Sequence, residues 1–373
     1  MALQPLWNIF SIAVLLGPAI LKFVDASPTL SRRAQVQYST AELHDSYDYV
    51  IVGGGTSGLV VANRLSEDPS KKVLVIEIGY IADESCIWMP SNIHIQNNTA
   101  CLKHRFNISS VPQTEIINQA VYRYAIGAVV GGSSAVNGMV FDRGSKADYD
   151  AWEELGNPGW GWDGLFLYFK KSVDFTAPSV EAAKRFGYTW DEEAWGDGPV
   201  QASYPPFQWE TVKTSWDAWA DMDIPLPKEH ALGNAVGRFW VPSSEDPVSR
   251  TRSYARYAYY DPIVTRPNYH LLVGHKAESL VLSPENDVEG VVFYQRDNPG
   301  EKKTMKAKKE VVLAAGAVHS PQILQLSGIG PKAVLEAANI GIKVDVPGVG
   351  NNFQDHPQVY LTCICKLRKL ALS

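Results

Sequence analysis

The chain has 373 residues, 34 Lys and Arg against 40 Asp and Glu, and a formal net charge of −6. With 45% hydrophobic and 20% charged residues, it is too apolar for an intrinsically disordered protein. The mildly acidic balance argues against a nucleic-acid partner, since such affinity rests on clustered positive charge. Composition therefore indicates a globular protein of one large or two ordinary domains.

The chain opens with an uncharged apolar run from Leu6 to Leu21, interrupted by Gly17-Pro18. The run is short for a membrane span, which needs roughly 20 residues. Small residues around Ala26 fit a signal-peptidase site. We predict a signal peptide over residues 1–26 and a secreted protein, or one in the lumen of the secretory pathway, without stable membrane insertion. An uncleaved anchor is the alternative.

A β-branched run at Asp48–Val52 precedes a glycine-rich turn, and Leu59–Leu65 then has apolar residues at helical spacing. This order predicts strand, turn and helix. Gly53 would permit the tight turn, Gly55 would let the backbone approach a pyrophosphate, and Gly58 would allow close helix–strand packing. The helix N-terminus would attract the phosphates. A purely structural glycine turn is the alternative.

The segment Lys72–Glu77 predicts a second buried strand that ends in a carboxylate. Glu77 lies 19 residues after Gly58, where an acid accepts hydrogen bonds from the ribose of an adenine dinucleotide. A carboxylate there disfavours NADP because of its 2′-phosphate. The loop and the acid do not distinguish FAD from NAD.

Two glycosylation sequons begin at Asn97 and Asn107, and in a secreted chain they predict exposed, modified loops. Cys86 and Cys101 flank the first sequon. An oxidising compartment would permit a bridge between them. Two buried free thiols are an equal alternative.

Further along, Gly131-Gly132-Ser133-Ser134 forms a hydroxyl-rich turn able to offer backbone N–H groups to an anion. Asn137-Gly138 follows and is expected to continue into an apolar strand. This segment resembles the first signature of the glucose-methanol-choline (GMC) family of FAD-dependent oxidoreductases. Residues 316–330 resemble the second signature, other segments resemble secreted fungal aryl-alcohol-oxidase-like members, and the likeness covers residues 45–360.

The resemblance implies FAD as the cofactor, with the pyrophosphate on the first glycine loop and the adenosine ribose on Glu77. It places Asn137 to Val140 beside the isoalloxazine and its ribityl chain, and Ala277 against adenine. For single positions outside the first loop, packing is the alternative role. The residues implied to contact FAD are Gly53, Gly55, Thr56, Ser57, Gly58, Glu77, Ile78, Gly132, Ser133, Asn137, Gly138, Met139, Val140, Ala277, Gly316 and Ala317.

Two features depart from the family pattern. Ala128 stands where the first signature carries Arg, Lys or Asn, which predicts weaker FAD binding. The family's catalytic His lies in a late C-terminal segment, so no residue is assigned a catalytic role. His356 is expected to be structural, and His319 to cap or pack before a helix. No ligand spacing among the His residues predicts a metal site.

The fold expected is α/β, a doubly wound, Rossmann-like FAD-binding domain in two parts, 45–155 and 251–360. A smaller substrate-side module, residues 156–250, is rich in Trp, Pro and Gly and interrupts it. Residues 361–373, with Cys363 and Cys365, form a divergent tail. The C-terminal part of the family fold is expected to be missing.

The resemblance implies oxidation of a small-molecule alcohol, aromatic alcohols included, by hydride transfer to flavin N5. Dioxygen or another acceptor would reoxidise the flavin, and the setting could be fungal secondary metabolism. Because no catalytic His is assigned, weak or no turnover is expected from this chain. The alternatives are a non-redox, cyclase-type family member and a catalytically dead FAD-binding or truncated gene product.

Overall fold

A computed structural model describes residues 36–90, 99–115 and 120–356. The predicted signal peptide, the Asn97 sequon and the 361–373 tail lie outside these ranges. Within them, the helices are too short or too polar to cross a membrane.

The secondary structure alternates between strands and helices. The strands are β1 (Val36–Gln37), β2 (Ser46–Val52), β3 (Val73–Ile76), β4 (Ile108–Ser109), β5 (Arg123–Tyr124), β6 (Val173–Thr176), β7 (Val200–Ser203), β8 (Tyr269–Leu272), β9 (His275–Leu282), β10 (Val288–Gln295), β11 (Asn298–Leu313), β12 (Ile329–Gly330) and β13 (Val344–Asp345). The helices are α1 (Thr56–Leu65), α2 (Ser85–Trp88), α3 (Thr99–Leu102), α4 (Lys146–Glu154), α5 (Trp162–Ser172), α6 (Val180–Phe186), α7 (Glu210–Asp221), α8 (Gly316–Leu326) and α9 (Lys332–Ala337).

Seven of the described strands form one sheet in the order β1-β8-β3-β2-β11-β10-β9. The first five are parallel, and β11, β10 and β9 form an antiparallel meander. The long strand β11 belongs to both parts. Its C-terminal half pairs in parallel with β2, with Val311 opposite Val50, and its N-terminal half pairs with β10, with Met305 opposite Val291.

The sheet is covered on both faces because side chains alternate across each strand. Ile51 and Val75 point to one face, where they pack with Leu59 of α1. Leu74 points to the other face, in the core that also contains Ile323 of α8. Helices on both faces of a largely parallel sheet confirm the predicted doubly wound α/β fold.

The carboxyl ends of three neighbouring parallel strands meet at one edge of the sheet. Strand β2 ends at Val52, β3 at Ile76 and β11 at Leu313, and α1 and α8 begin just beyond β2 and β11. In open α/β sheets, ligands bind in the crevice at this edge.

The predicted module at 156–250 contains a small parallel sheet of β6 and β7. Its core is aromatic, since Phe175 stacks on Trp195 at 4.6 Å between ring centroids and Tyr188 on Tyr204 at 4.5 Å. Packing accounts for part of the aromatic excess there, since Trp160, Trp209 and Trp219 are exposed. The domain boundaries at 156 and 250 stay a prediction.

Candidate cofactor-binding site

A cavity of about 490 Å³ opens at the carboxyl edge of the parallel strands. Its walls are the ends of β2, β3 and β11 and the first turns of α1 and α8. Ten of the residues that the sequence predicts to contact the cofactor line it. They are Gly53, Gly55, Thr56, Ser57, Glu77, Ile78, Gly132, Ser133, Ala277 and Gly316.

The glycines of the first loop are required by close backbone approaches. Gly53 has φ +104°, and a Cβ there would lie 2.5 Å from the carbonyl oxygen of Ala314. A Cβ on Gly58 would collide with the carbonyl oxygen of Gly53. At Gly55, by contrast, the nearest protein atom to such a Cβ is the Cα of Gly132 at 3.6 Å. The loop is therefore packed tightly against the protein at Gly53 and Gly58, whereas at Gly55 it is open towards the cavity.

Two helix N-termini face this cavity without a side chain capping them. Gly55 precedes α1 and Ala315 precedes α8, and neither residue makes a side-chain hydrogen bond that caps its helix. The first N–H groups of a helix lack partners within the helix and, with its dipole, attract anions. A diphosphate group fits this wall because the backbone itself supplies the donors.

Glu77 directly follows β3 and lies buried in the cavity wall. Its Oε2 accepts a hydrogen bond from the Gly54 N–H and its Oε1 one from the Gly79 N–H, both at 2.7 Å. Burial raises the pKa of this carboxyl to about 7, against the effect of the two N–H donors. Each carboxylate oxygen has further lone pairs, so Glu77 can also accept from hydroxyl groups of a ligand.

The second glycine segment contributes Gly132 and Ser133, which begin a 3₁₀ turn, Gly132–Ala135. Gly132 has φ +56°, and a Cβ on it would lie 2.6 Å from the Cα of Gly55. The two glycine segments therefore abut each other.

The rest of this segment departs from expectation. The apolar strand expected after Asn137 is wrong: Val140 makes only an isolated bridge to Ser243 and its side chain is 71% exposed. Asn137, Gly138, Met139 and Val140 do not line the cavity, so their contact with the isoalloxazine stays a prediction.

The two other predicted contacts lie on helices. Gly58 is buried in α1, where it packs against the first loop. Ala317 is exposed in the first turn of α8. Neither lines the cavity.

Several cavity residues carry no motif that the sequence could reveal. Phe106, from the loop before β4, packs against His319 with 4.2 Å between the ring centroids and the ring planes tilted by 35°. The expectation that His319 precedes a helix is wrong, because it lies within α8. Burial, followed by the nearby Lys276, lowers the pKa of His319. The cavity is also lined by Ile126, Gly127, His275 and Lys276.

Cys86 and Cys101 are paired in a disulfide with their Cα atoms 6.3 Å apart. This settles the alternative that the sequence left open. Both residues lie in a buried cluster with Val129 and Ala135, next to the second glycine segment. Ala128, which stands where the first signature carries Arg, Lys or Asn, is also buried. No described group of His, Cys, Asp and Glu could hold a metal ion.

The parallel sheet, the glycine turn between β2 and α1, and the carboxylate after β3 define an adenine-dinucleotide-binding α/β protein. Residues 47–358 match the GMC oxidoreductase family. The chain belongs to this family. The family and its FAD-dependent structural neighbours indicate FAD as the cofactor, and the glycine loop, the uncapped helices and Glu77 fit it.

Among curated relatives, the chain is 40% identical over 337 residues to "Dehydrogenase xptC" of Emericella nidulans, covering 89% of this chain and 53% of the relative. It is 35% identical over 317 residues to "GMC oxidoreductase family protein Mala s 12" of Malassezia sympodialis, covering 83% and 51%. The chain thus spans about half the length of the curated relatives it matches.

Among solved structures, the chain is similar to an FAD-dependent oxidoreductase from Chaetomium thermophilum, with a TM-score of 0.77 and 38% identity over 81% of this chain and 51% of that one. A fungal aryl-alcohol oxidase gives a TM-score of 0.73 and 38% identity over 82% and 52%.

Proposed function

We propose that this chain supplies the FAD-binding half of an oxidoreductase that oxidises a small-molecule alcohol. The observation that carries the proposal is one cavity bounded by the glycine loop, the uncapped start of α1 and the buried carboxylate of Glu77. FAD, when bound, accepts a hydride at its flavin and so supplies the redox chemistry.

The chain's own residues bind and orient the cofactor. Backbone N–H groups at the start of α1 balance the charge of the diphosphate. Glu77 accepts hydrogen bonds from ribose hydroxyls while the N–H groups of Gly54 and Gly79 hold its carboxylate in place. The apolar side chains of Phe106 and Ile126 in the cavity wall exclude water.

The substrate we propose is an alcohol, aromatic alcohols included, with dioxygen or another acceptor reoxidising the cofactor. The likeness to a fungal aryl-alcohol oxidase supports this class. Because the chain matches only about half of that structure, turnover is a property of the whole protein. The resemblance places the general base in a C-terminal segment.

We also propose secretion and glycosylation. The Cys86–Cys101 disulfide supports an oxidising compartment, and Asn107 is exposed beside β4, as an acceptor for a glycan must be. Expression in a secreting fungal host followed by mass spectrometry tests both. A mature N-terminus after Ala26 and a glycan lost in Asn107→Gln are expected, whereas retention in the cytosol contradicts the proposal.

The function is tested by reconstituting the purified chain with FAD and adding aromatic and aliphatic alcohols without oxygen. A version extended by any downstream coding sequence is run beside it. Bound FAD in both proteins and bleaching by an alcohol in the extended one are expected. A chain that stays colourless after reconstitution contradicts cofactor binding. Products of unchanged oxidation state would favour a non-redox reaction.

A further inference from the structure

Arg252 is a buried cation held by neutral oxygens. The residue is only 1% exposed. Its Nε donates to the carbonyl oxygen of Ile87 at 2.8 Å, and its Nη1 donates to that of Ser134 at 3.2 Å and to Oδ1 of Asn137 at 2.7 Å. None of these acceptors is a carboxylate. A charge buried in this way costs folding energy, so its position needs an explanation.

The acceptors show which part of the chain Arg252 holds in place. Ser134 lies in the 3₁₀ turn Gly132–Ala135, whose first two residues line the cavity, and Asn137 follows it. The chain segment that contains Arg252 contacts the turn a second time, because the Ala255 N–H donates to Ser134 Oγ at 3.2 Å. Nε ties the turn to Ile87, the neighbour of the disulfide residue Cys86.

The segment after the turn depends on the same side chain. Asn137 Oδ1 also accepts from the Met139 N–H at 3.1 Å, and Met139 has φ +61°, a left-handed conformation that is strained for a side chain of this size. A second guanidinium, of Arg105, donates to the carbonyl oxygen of Val136 at 3.4 Å. Two cations therefore converge on the backbone of one turn.

We infer that Arg252 is a positioning residue for the cofactor site. Through the Ser134 carbonyl and the Asn137 amide it fixes the turn that presents Gly132 and Ser133 to the cavity. This part of the cavity wall is therefore already in place before FAD binds. The inference rests on the proposed FAD-binding function and assigns to Arg252 a role that no sequence motif gave it.

Arg252→Gln tests the inference, with Arg250→Gln as the matched control, since Arg250 is partly exposed and pairs with Glu245 at 3.2 Å. Without FAD, we expect hydrogen exchange in residues 131–140 to accelerate about tenfold in Arg252→Gln while strands β2 and β3 stay protected. The dissociation constant for FAD should rise about tenfold, with Arg252→Lys intermediate. Arg250→Gln should match the parent.

Asn137→Leu keeps the inference testable if Arg252→Gln fails to fold, because it removes one acceptor and leaves the other two contacts of Arg252. It should also accelerate exchange in residues 131–140, and the double variant should be no worse than the more affected single variant. Unchanged exchange and FAD affinity in the variants that fold would overturn the inference. If the parent chain bound no FAD, the proposed function would fail, and hydrogen exchange alone would decide the role of Arg252.

Discussion

The cofactor site and the aromatic segment at 156–250 are built on different principles. The site consists largely of backbone: its glycines allow strands and loops to touch, and its helix N-termini supply N–H donors. The core of the aromatic segment consists of side chains: Phe175 stacks on Trp195, and Arg143, from outside the segment, lies 4.8 Å from the Trp195 ring centroid. The site is therefore sensitive to added atoms, and the aromatic segment is sensitive to lost ones.

The aromatic segment also contains a buried polar cluster. The side chain of Glu229 is fully buried and lies 3.2 Å from Nδ1 of His230. It accepts hydrogen bonds from the Trp195 indole N–H at 3.1 Å and from the Ala231 N–H at 2.9 Å. Asp142 lies 3.1 Å from Nε2 of the same His. Such a network stabilises the segment only while every partner is present.

The largest effect is expected for Gly58→Val. The added side chain would collide with the Gly53 carbonyl oxygen, so the free energy of unfolding should fall by about 4 kcal/mol or more. Denaturant unfolding measures the loss, and FAD binding should be abolished. Gly341→Ala is the control, because a Cβ there meets open space. Equal stability of the two variants would show that the tight loop is not required.

Glu229→Gln is expected to cost about 3 kcal/mol of stability, because both carboxylate oxygens accept hydrogen bonds from N–H donors and the amide NH2 group would face one of these donors. The variant that folds should bind FAD like the parent, since Glu229 does not line the cavity. Urea unfolding and FAD titration check the two halves of this prediction. Glu193→Gln, at an exposed position, is the control. Weakened FAD binding in Glu229→Gln would contradict the prediction that a change in the aromatic segment leaves the cofactor site unaffected.

Replacing both Cys86 and Cys101 by Ser opens a loop with a sequence separation of 15 residues. The expected cost is about 3 kcal/mol, measured as a lower midpoint of thermal unfolding. A reductant should lower the midpoint of the parent in the same way and leave the double Ser variant unchanged. A parent insensitive to reductant, with its thiols shown to be free, would contradict the prediction.

The smallest effect concerns pH. Burial raises the pKa of Glu77 from its ordinary value of 4.5 to about 7, so the carboxyl of the free protein is protonated well below pH 7. Ribose hydroxyls donate to the charged form, so FAD affinity should rise with pH, by up to about tenfold per unit, and level off above pH 7. Fluorescence titrations from pH 5 to 8 measure it.

Glu77→Gln removes the titrating group, and its FAD affinity should be weaker and flat over the same pH range. Glu285→Gln, at an exposed turn, should keep the slope of the parent. A parent whose affinity does not change with pH would argue against Glu77 as the ribose acceptor.

The sequence predicted the parts of the site that follow from local order along the chain. Strand β2, the turn at Gly53 and the start of α1 are consecutive, and Glu77 directly follows the next strand. The strand expected after Asn137 does not form: the Asn137 side chain accepts a hydrogen bond from Arg252, a residue distant in sequence, and Met139 takes a left-handed conformation. Only the fold brings Phe106 to His319.

We propose that this cavity binds FAD with its adenosine end at Glu77. Titration of the purified chain with FAD and, separately, with FMN tests it most directly, because FMN lacks the adenosine. Tight binding of FAD, weak binding of FMN and a smaller preference for FAD in Glu77→Gln are predicted. Equal affinity for both, or binding of neither, would contradict the claim.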